Sequence, residues 1–409
     1  MLFRLEKIAF GLLLVILPWQ LKDVLIPHET GGFFNEFRSV SLLASDLLLI
    51  LLLMIFLVRR FLEKKGFSLL PFSLVGFLPG ILGLVSLFWS SSWPVTLSFS
   101  LHFLLAGILF FYLLEEKKEL KELVLPLVLG VAVQLIVGLY QFLEGRSLGL
   151  FFLDESRLDA SSKENVVVDF WGARHLRAYG LTSHPNLLGA WSAIGGFVLA
   201  LARGPWVSFG LTMVVILALL TFSKAALLML LVALISLSIW LKRRALVWGL
   251  VLAVSLLVLW PGWQSRFDLS LAKEQRSIEE RVDGAYDAFL VIKENPLGTG
   301  GGAYVSELAQ RKPNLSPWLY QPVHNIFLLS WAELGFLALL FWGILLFWGI
   351  AFLKRQSFSW SVLVLGFMVL IPAMTDHFLW SMQEGRILLM FTLGLIFSLF
   401  PKRQSAKIL

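Results

Sequence analysis

The sequence predicts an all-α polytopic membrane protein, and three observations carry that expectation. The 409 residues are 58% hydrophobic and 15% charged, with a mean hydropathy of +0.82, whereas soluble domains average roughly 45–50% apolar and 25% charged. Apolar runs near the ~20 residues needed to cross a bilayer recur along the chain. Sixteen Trp and 35 Phe suit interfacial anchors and lipid-facing surface. Cysteine is absent, which excludes disulfides, thiolate metal sites and a cysteine nucleophile. The formal charge of +7 is not a nucleic-acid signal, because basic residues of a polytopic protein mark the ends of spans.

Hydropathy gives about twelve spans, at residues 8–21, 40–58, 69–89, 96–114, 122–143, 184–202, 206–222, 225–241, 245–260, 323–353, 358–376 and 387–400. The first follows Arg4 and Lys7 as the core of a signal peptide would. No small-residue cleavage site comes after it, so it reads as a retained span. The run 323–353 exceeds one span, and either begins outside the bilayer or tilts strongly.

Basic residues set the orientation. Arg4, Lys7, Arg59, Arg60, Lys64, Lys65, Lys117, Lys118, Lys121, Arg203, Lys242, Arg243, Arg244, Lys354, Arg355, Lys402, Arg403 and Lys407 fall at one set of span ends. Short loops on the other side hold Lys22, Arg38, Lys224 and Arg386, a ratio of 18 to 4. The richer side is expected to be cytoplasmic, with both termini there. Two long polar loops, 144–183 and 261–322, then lie outside. The first has five Lys/Arg against six Asp/Glu and the second seven against eight, so an anion site must come from particular arginines. The chain divides into nine spans with the first loop (1–260), the large loop (261–322), and three spans with a tail (323–409).

The large loop has helical patterning. Ser277-Ile278-Glu279-Glu280 has the form of a capping box. Ile278, Val282, Ala285, Tyr286, Phe289 and Ile292 then recur at helical spacing until Pro296 and Gly298. An amphipathic helix is expected, its apolar face resting on the spans or the membrane interface.

Candidate site residues cluster at the outer span ends, and each has two readings. Arg174 and Arg177 stand above Ser183-His184-Pro185-Asn186, where a helix enters the bundle. An arginine at a helix mouth suits phosphate; equally it can meet lipid head groups while His184 and Asn186 cap the helix. Arg281 lies at the edge of the amphipathic helix's apolar face, pointing either into a cleft or to solvent beside Glu280. His324, with Asn325, is either a general base or an interfacial cap, and Glu333 lies deeper, where a carboxylate needs a partner. Lys224 sits in a very short turn, to meet a lipid-linked phosphate or to snorkel. Asp376, His377 and Arg386, with Gln383 and Glu384, either complete a polar pocket or form a solvated turn. The glycine run 298–302 lacks the Lys-Ser/Thr of a nucleotide loop, and His102 reads as packed within its span.

Four motifs occur in order: Arg177-Ala-Tyr-Gly-Leu-Thr-Ser-His-Pro-Asn186, Phe222-Ser-Lys-Ala-Ala226, Glu294-Asn-Pro-Leu-Gly-Thr-Gly300, and His324-Asn-Ile-Phe-Leu328 with Glu333-Leu-Gly335. From Arg174 onward the chain resembles the O-antigen ligase and polymerase family of bacterial envelope glycosyltransferases. The resemblance implies a GT-C-like fold and an inverting transfer without metal or cofactor, at the periplasmic face of the inner membrane. The implied donor is a glycan on undecaprenyl diphosphate, and the acceptor is lipid A–core or another glycan. It implies that Arg177 and Arg281 hold the diphosphate and His324 is the base, with the other candidates binding substrate. Relatives often carry arginine where Lys224 stands, and a lysine loses bidentate phosphate binding. Ligase is placed ahead of polymerase, with a protein O-oligosaccharyltransferase third. A small-anion transporter is the alternative from another class, but its polar residues would gather near the midplane.

Overall fold

The computed structural model describes residues 1–67, 71–162, 165–240, 242–355 and 360–398. Lys402, Arg403 and Lys407, used above for orientation, lie outside them. In chain order, α1 (Leu2–Ile16) is followed by strand β1 (Lys22–Ile26), the small pair β2 (Glu29–Thr30) and β3 (Phe33–Phe34), β4 (Val40–Leu43) and α2 (Ala44–Leu62). Then come α3 (Leu78–Ser86), α4 (Trp93–Glu116), α5 (Leu120–Glu144), strands β5 (Val167–Phe170) and β6 (Ala173–Leu176), α6 (Pro185–Leu201), α7 (Val207–Leu220) and α8 (Lys224–Trp240). The rest is helical: α9 (Lys242–Val258), α10 (Trp260–Phe267), α11 (Ala272–Glu294), α12 (Tyr304–Arg311), α13 (Ile326–Leu334), α14 (Phe336–Arg355), α15 (Trp360–Thr375), α16 (Phe378–Ser381) and α17 (Gln383–Ser398). Among the described residues the strands form three two-stranded antiparallel pairs, small additions in the loops of an all-α fold.

The helices fall close to the expected apolar runs, but their lengths do not by themselves give twelve spans. Helices α4 and α5 are each long and apolar enough to cross a membrane, and α9 with α10 is a third candidate, bent by 78°. Several others are apolar but only 10–17 residues long, which at ~1.5 Å per residue falls short of the ~30 Å hydrocarbon core. Helix α2 is 19 residues long but carries three charged residues, Asp46, Arg59 and Arg60. The run 323–353 is two helices broken at Gly335.

One continuous core runs from Ala9 to Ile396. Helix α6 lies at its centre, buried without a break from Leu187 to Ala200, as an all-apolar helix should be. It packs on α7 and α8, while α17 lies along α4. At the end opposite the long loops, Glu6 is fully buried and binds Arg59 at 2.5 Å, with Tyr112 donating to it at 2.9 Å. Arg59 also meets Glu116 at 2.5 Å. Several basic residues at this end are therefore ion-paired within the bundle.

The glycine run is a docking element. Thr299 and Gly300 donate backbone N–H groups to the carbonyls of Ala332 and Glu333 at 3.0 and 2.9 Å. A Cβ on Gly298 would lie 2.3 Å from the Glu333 carbonyl oxygen, and one on Gly335 2.2 Å from that of Pro296. Both glycines also have positive φ, +82° and +57°, a region that penalises other residues. This backbone contact fixes the large loop onto α13.

Helix α11 departs from expectation at its start. It begins at Ala272, so Ser277 lies inside it and the capping box is not used. The first turn is anchored instead by Glu274, which pairs with Lys224 and Arg266. Of the expected apolar face Ile292 is buried beside Ala288 and Val291, while Ile278, Val282, Tyr286 and Phe289 point away from the bundle, as residues of a helix at the membrane interface would.

Candidate active site

Four segments meet at the loop end of the bundle: the entry to α6, the α10–α11 corner, the start of α13 and the α15–α16 turn. Each contributes side chains from just beyond a helix end. His184 is the N-cap of α6 and its Nδ1 accepts from the Asn186 N–H at 3.1 Å. Pro185 at the first helical position needs no donor there. Helix α15 stops at Thr375, leaving Asp376 and His377 in the turn that follows, and α13 starts at Ile326, after His324. These groups thus lie outside the membrane-spanning helices.

Arg177 is the buried hub. Its Nε donates to the Thr221 carbonyl at 2.6 Å and its Nη2 to Asn186 Oδ1 at 2.7 Å. Asn186 Nδ2 in turn donates to Asp376 Oδ2 at 2.7 Å. Asp376 Oδ1 accepts the His377 N–H at 2.8 Å. The His377 ring stacks edge-on with His324, centroids 5.1 Å apart, and its Nδ1 lies 2.7 Å from Ser381 Oγ. A hydrogen-bonded chain therefore runs from a guanidinium through an amide to a carboxylate, and two imidazole rings lie beside it, His377 Nε2 at 3.9 Å from Asp376 Oδ1.

The electrostatics follow from burial. Burial pulls the Arg177 guanidinium down to about 9 with help from Arg266, which still leaves it a cation at neutral pH. Burial pulls His184 down to about 4 and His377 to about 3. His324 is also lowered by burial and by Arg281, against Asp376. Burial raises the Asp376 carboxyl, but the attraction of the three histidines in their protonated form and the Asn186 hydrogen bond outweigh it, and its pKa falls below the usual carboxylate range. At neutral pH the cluster is thus neutral imidazoles around one carboxylate.

A second layer of cations adjoins Arg177. Arg266 and Lys224 hold the two oxygens of Glu274, Lys224 at 3.0 Å. Lys273 donates to the Val167 carbonyl and is lowered to about 8 by burial, Arg266 and Arg177. Arg281 is exposed, makes no hydrogen bond or ion pair among the described residues, and acts electrostatically on His184, His324 and Arg266. Arg177, Arg266, Lys224, Arg281 and Lys273 thus outnumber the carboxylates that act on them, Glu274, Asp376 and Asp169, a charge distribution suited to a multivalent anion.

The sequence-predicted residues separate into groups. Arg177, His184, Asn186, His324, Asp376 and His377 come together, with Arg281 and Lys224 at the edge. Arg174 does not join them: it is exposed on the β5–β6 hairpin and donates to the Ser162 carbonyl at 3.2 Å. Asn325 is the N-cap of α13, accepting from Phe327 and Leu328. Glu333 is buried and accepts from Trp380 Nε1 at 2.8 Å. Arg386 donates to the Trp380 and Ser381 carbonyls. It also lies 3.3 Å from Nδ1 of His102, whose Nε2 meets Asp46 at 3.2 Å. His102 is therefore part of a buried polar network, not a lone packed ring. Sequence reading missed Arg266, Lys273 and Glu274, because no spacing rule joins α10, α11 and the start of α8. His324, Asp376 and His377 could also hold a metal ion, their donor atoms lying within 4.8 Å of one another.

Fold and site together define a class: an all-α membrane protein that gathers cations and histidines at one end of its bundle. Residues 209–343, about a third of the chain, match the family model described as O-antigen ligase. The match includes Lys224, Arg266, Arg281, His324 and Glu333. Arg177, Asp376 and His377 stand outside it. No curated protein and no solved structure matches the chain.

Proposed function

We propose that the chain transfers a glycan from undecaprenyl diphosphate to an acceptor hydroxyl, with inversion and without a metal, at the periplasmic face of the inner membrane. The observation that carries this reading is the Arg177–Asn186–Asp376 hydrogen-bonded chain, which leads from an anion-binding cation cluster to a carboxylate beside a pair of neutral histidines. The cations receive the diphosphate, and their attraction grows as the sugar–oxygen bond breaks and charge develops on the leaving group. His324, neutral near pH 7, takes the acceptor proton as the hydroxyl attacks the anomeric carbon. A positioned base of this kind typically contributes ~10²–10⁴-fold. Asp376 stabilises the imidazolium that results. The 18 to 4 split of Lys and Arg supports a site facing away from the cytoplasm, with both termini inside.

A ligase acting on lipid A–core is the first reading and a polymerase of the same family the second. A transfer assay tests both. Purified protein is mixed with an undecaprenyl-diphosphate glycan, with or without lipid A–core, in EDTA. Core shifted by whole glycan chains supports the ligase, and a ladder from donor alone supports the polymerase. Full transfer by both His324→Ala and Arg177→Ala would reject the site assignment. Anion uptake into proteoliposomes without any transfer would restore the transporter.

A further inference from the structure

A cleft of about 1500 Å³ opens within the large loop, between α11 and the segment that follows α12. One stripe of α11 lines it at helical spacing: Arg276, Glu280, Gly284 and Asp287. At ~1.5 Å per residue that stripe is about 17 Å long. The facing wall runs from Leu315 through Trp318 to His324, so the cleft contains the ring assigned above as the base. His324 touches the His377 ring but makes no hydrogen bond among the described residues. Its nitrogens are open to a group lying in the cleft.

The rest of the lining selects that group. Glu279, Glu280 and Asp283 have no hydrogen-bond or ion-pair partner among the described residues, whereas Asp287 is held by Lys312 at 2.5 Å. An ionised carboxylate only accepts hydrogen bonds, and those it takes from hydroxyls are strong. Among the described residues these carboxylates do not converge closely enough to hold a metal ion. Trp318, 64% exposed, and Tyr286 add flat apolar faces beside them. Hydroxyl donors joined to apolar ring faces are the chemistry of a sugar. With four carboxylates against Arg276 and Lys312, the cleft attracts a diphosphate less than the Arg177–Arg266 cluster does. Gly284 is an independent sign. A glycine inside a helix destabilises it, yet a Cβ at this one would meet nothing within 4 Å. No neighbour requires the missing side chain, and its absence leaves the middle of the cleft open.

We propose that this cleft binds the acceptor glycan, holding the sugar that bears the attacking hydroxyl beside His324 while the donor's diphosphate lies on the Arg177 cluster. Phosphates elsewhere on the acceptor stay outside the cleft, so lipid A–core and a diphosphate-linked glycan both fit. This inference rests on the transferase reading above for the role of the occupant, but not for its binding.

The test is saturation-transfer NMR on the full chain in phosphatidylcholine nanodiscs, with core oligosaccharide released from lipid A as the probe. Saturation of the sugar protons is expected, and inorganic pyrophosphate should not displace the probe. Trp318→Ala removes an exposed ring, and Gly284→Trp fills the cleft without removing any group; each should cut the signal at least fivefold. Trp206→Ala, which removes an exposed ring at the start of α7, should not. No signal from the wild type, an unchanged signal in both cleft variants, or displacement by pyrophosphate would overturn the proposal. In the transfer assay, Trp318→Ala should raise the acceptor KM several-fold and leave the donor KM and kcat unchanged. An unchanged acceptor KM would count against the proposal, and a raised donor KM would put the donor glycan in the cleft instead. A chain that binds the probe as expected but transfers nothing keeps the cleft and rejects the transferase reading, so the two fail separately.

Discussion

Asn186 bridges Arg177 and Asp376, accepting from one and donating to the other at 2.7 Å each. The two charges are thereby held apart in one network by a neutral amide. Asn186 lies in the first turn of α6, so the network is fixed to a helix buried from Leu187 to Ala200. Both of its side-chain bonds involve charged partners, and such bonds are worth ~1.5–3 kcal/mol each. Asn186→Ala should cost roughly 2 kcal/mol or more in thermal unfolding, and transfer should fall at least tenfold. Wild-type stability and rate in this variant would show that the bridge is incidental.

Transfer should decline on the acid side of pH 6.5. His324 is a base only when neutral, and burial with Arg281 places its pKa below the ordinary 6.5. Stability has the same sign. His184 is lowered from 6.5 to about 4, so between those values the unfolded chain binds more protons than the folded one. Stability is full above about 6.5 and declines as pH falls toward about 4, by roughly 3 kcal/mol for this group. His184→Asn keeps an N-cap without a titrating ring and should flatten part of the unfolding profile between pH 7 and 4. An unchanged profile would refute this account.

Glu274 competes with any anion for Lys224 and Arg266. Glu274→Gln removes one negative charge from the cation cluster. Pyrophosphate should then bind several-fold more tightly by calorimetry at low salt, with the gain shrinking as salt rises. Equal affinity in both proteins would mean that these cations do not face the anion.

Gly298 and Gly335 should tolerate nothing larger. Each combines positive φ with a backbone neighbour 2.2–2.3 Å from an added Cβ, so alanine at either should cost more than ~2 kcal/mol and reduce folded yield. Gly284 is the contrast. It lies inside α11 with nothing within 4 Å, and Gly284→Ala should be neutral or stabilise by up to ~1 kcal/mol.

At the opposite end, Glu6→Ala would leave Arg59 buried with one partner fewer. A loss of about 3–5 kcal/mol is expected. The double variant Glu6→Ala/Arg59→Ala should lose less than the sum of the singles, because the two singles remove the same Glu6–Arg59 interaction. Strict additivity would deny the coupling.

The sequence by itself determined the membrane character, the apolar runs that became helices and the residues at the mouths of α6 and α13. Hydropathy and turn chemistry are local, so they are legible one segment at a time. His324, Arg177 and Asp376 were each visible as polar residues at span ends, yet nothing in their spacing joined them. Only the tertiary structure decided which polar groups meet. Asn186 and Asp376 are separated by 190 positions and become neighbours because α6 and α15 pack side by side. It also left Arg174 on a hairpin, made the glycine run a backbone clamp, and started α11 a turn early through Glu274. Such outcomes depend on packing and on charge pairing between distant segments, and the local pattern of a sequence does not encode the partner.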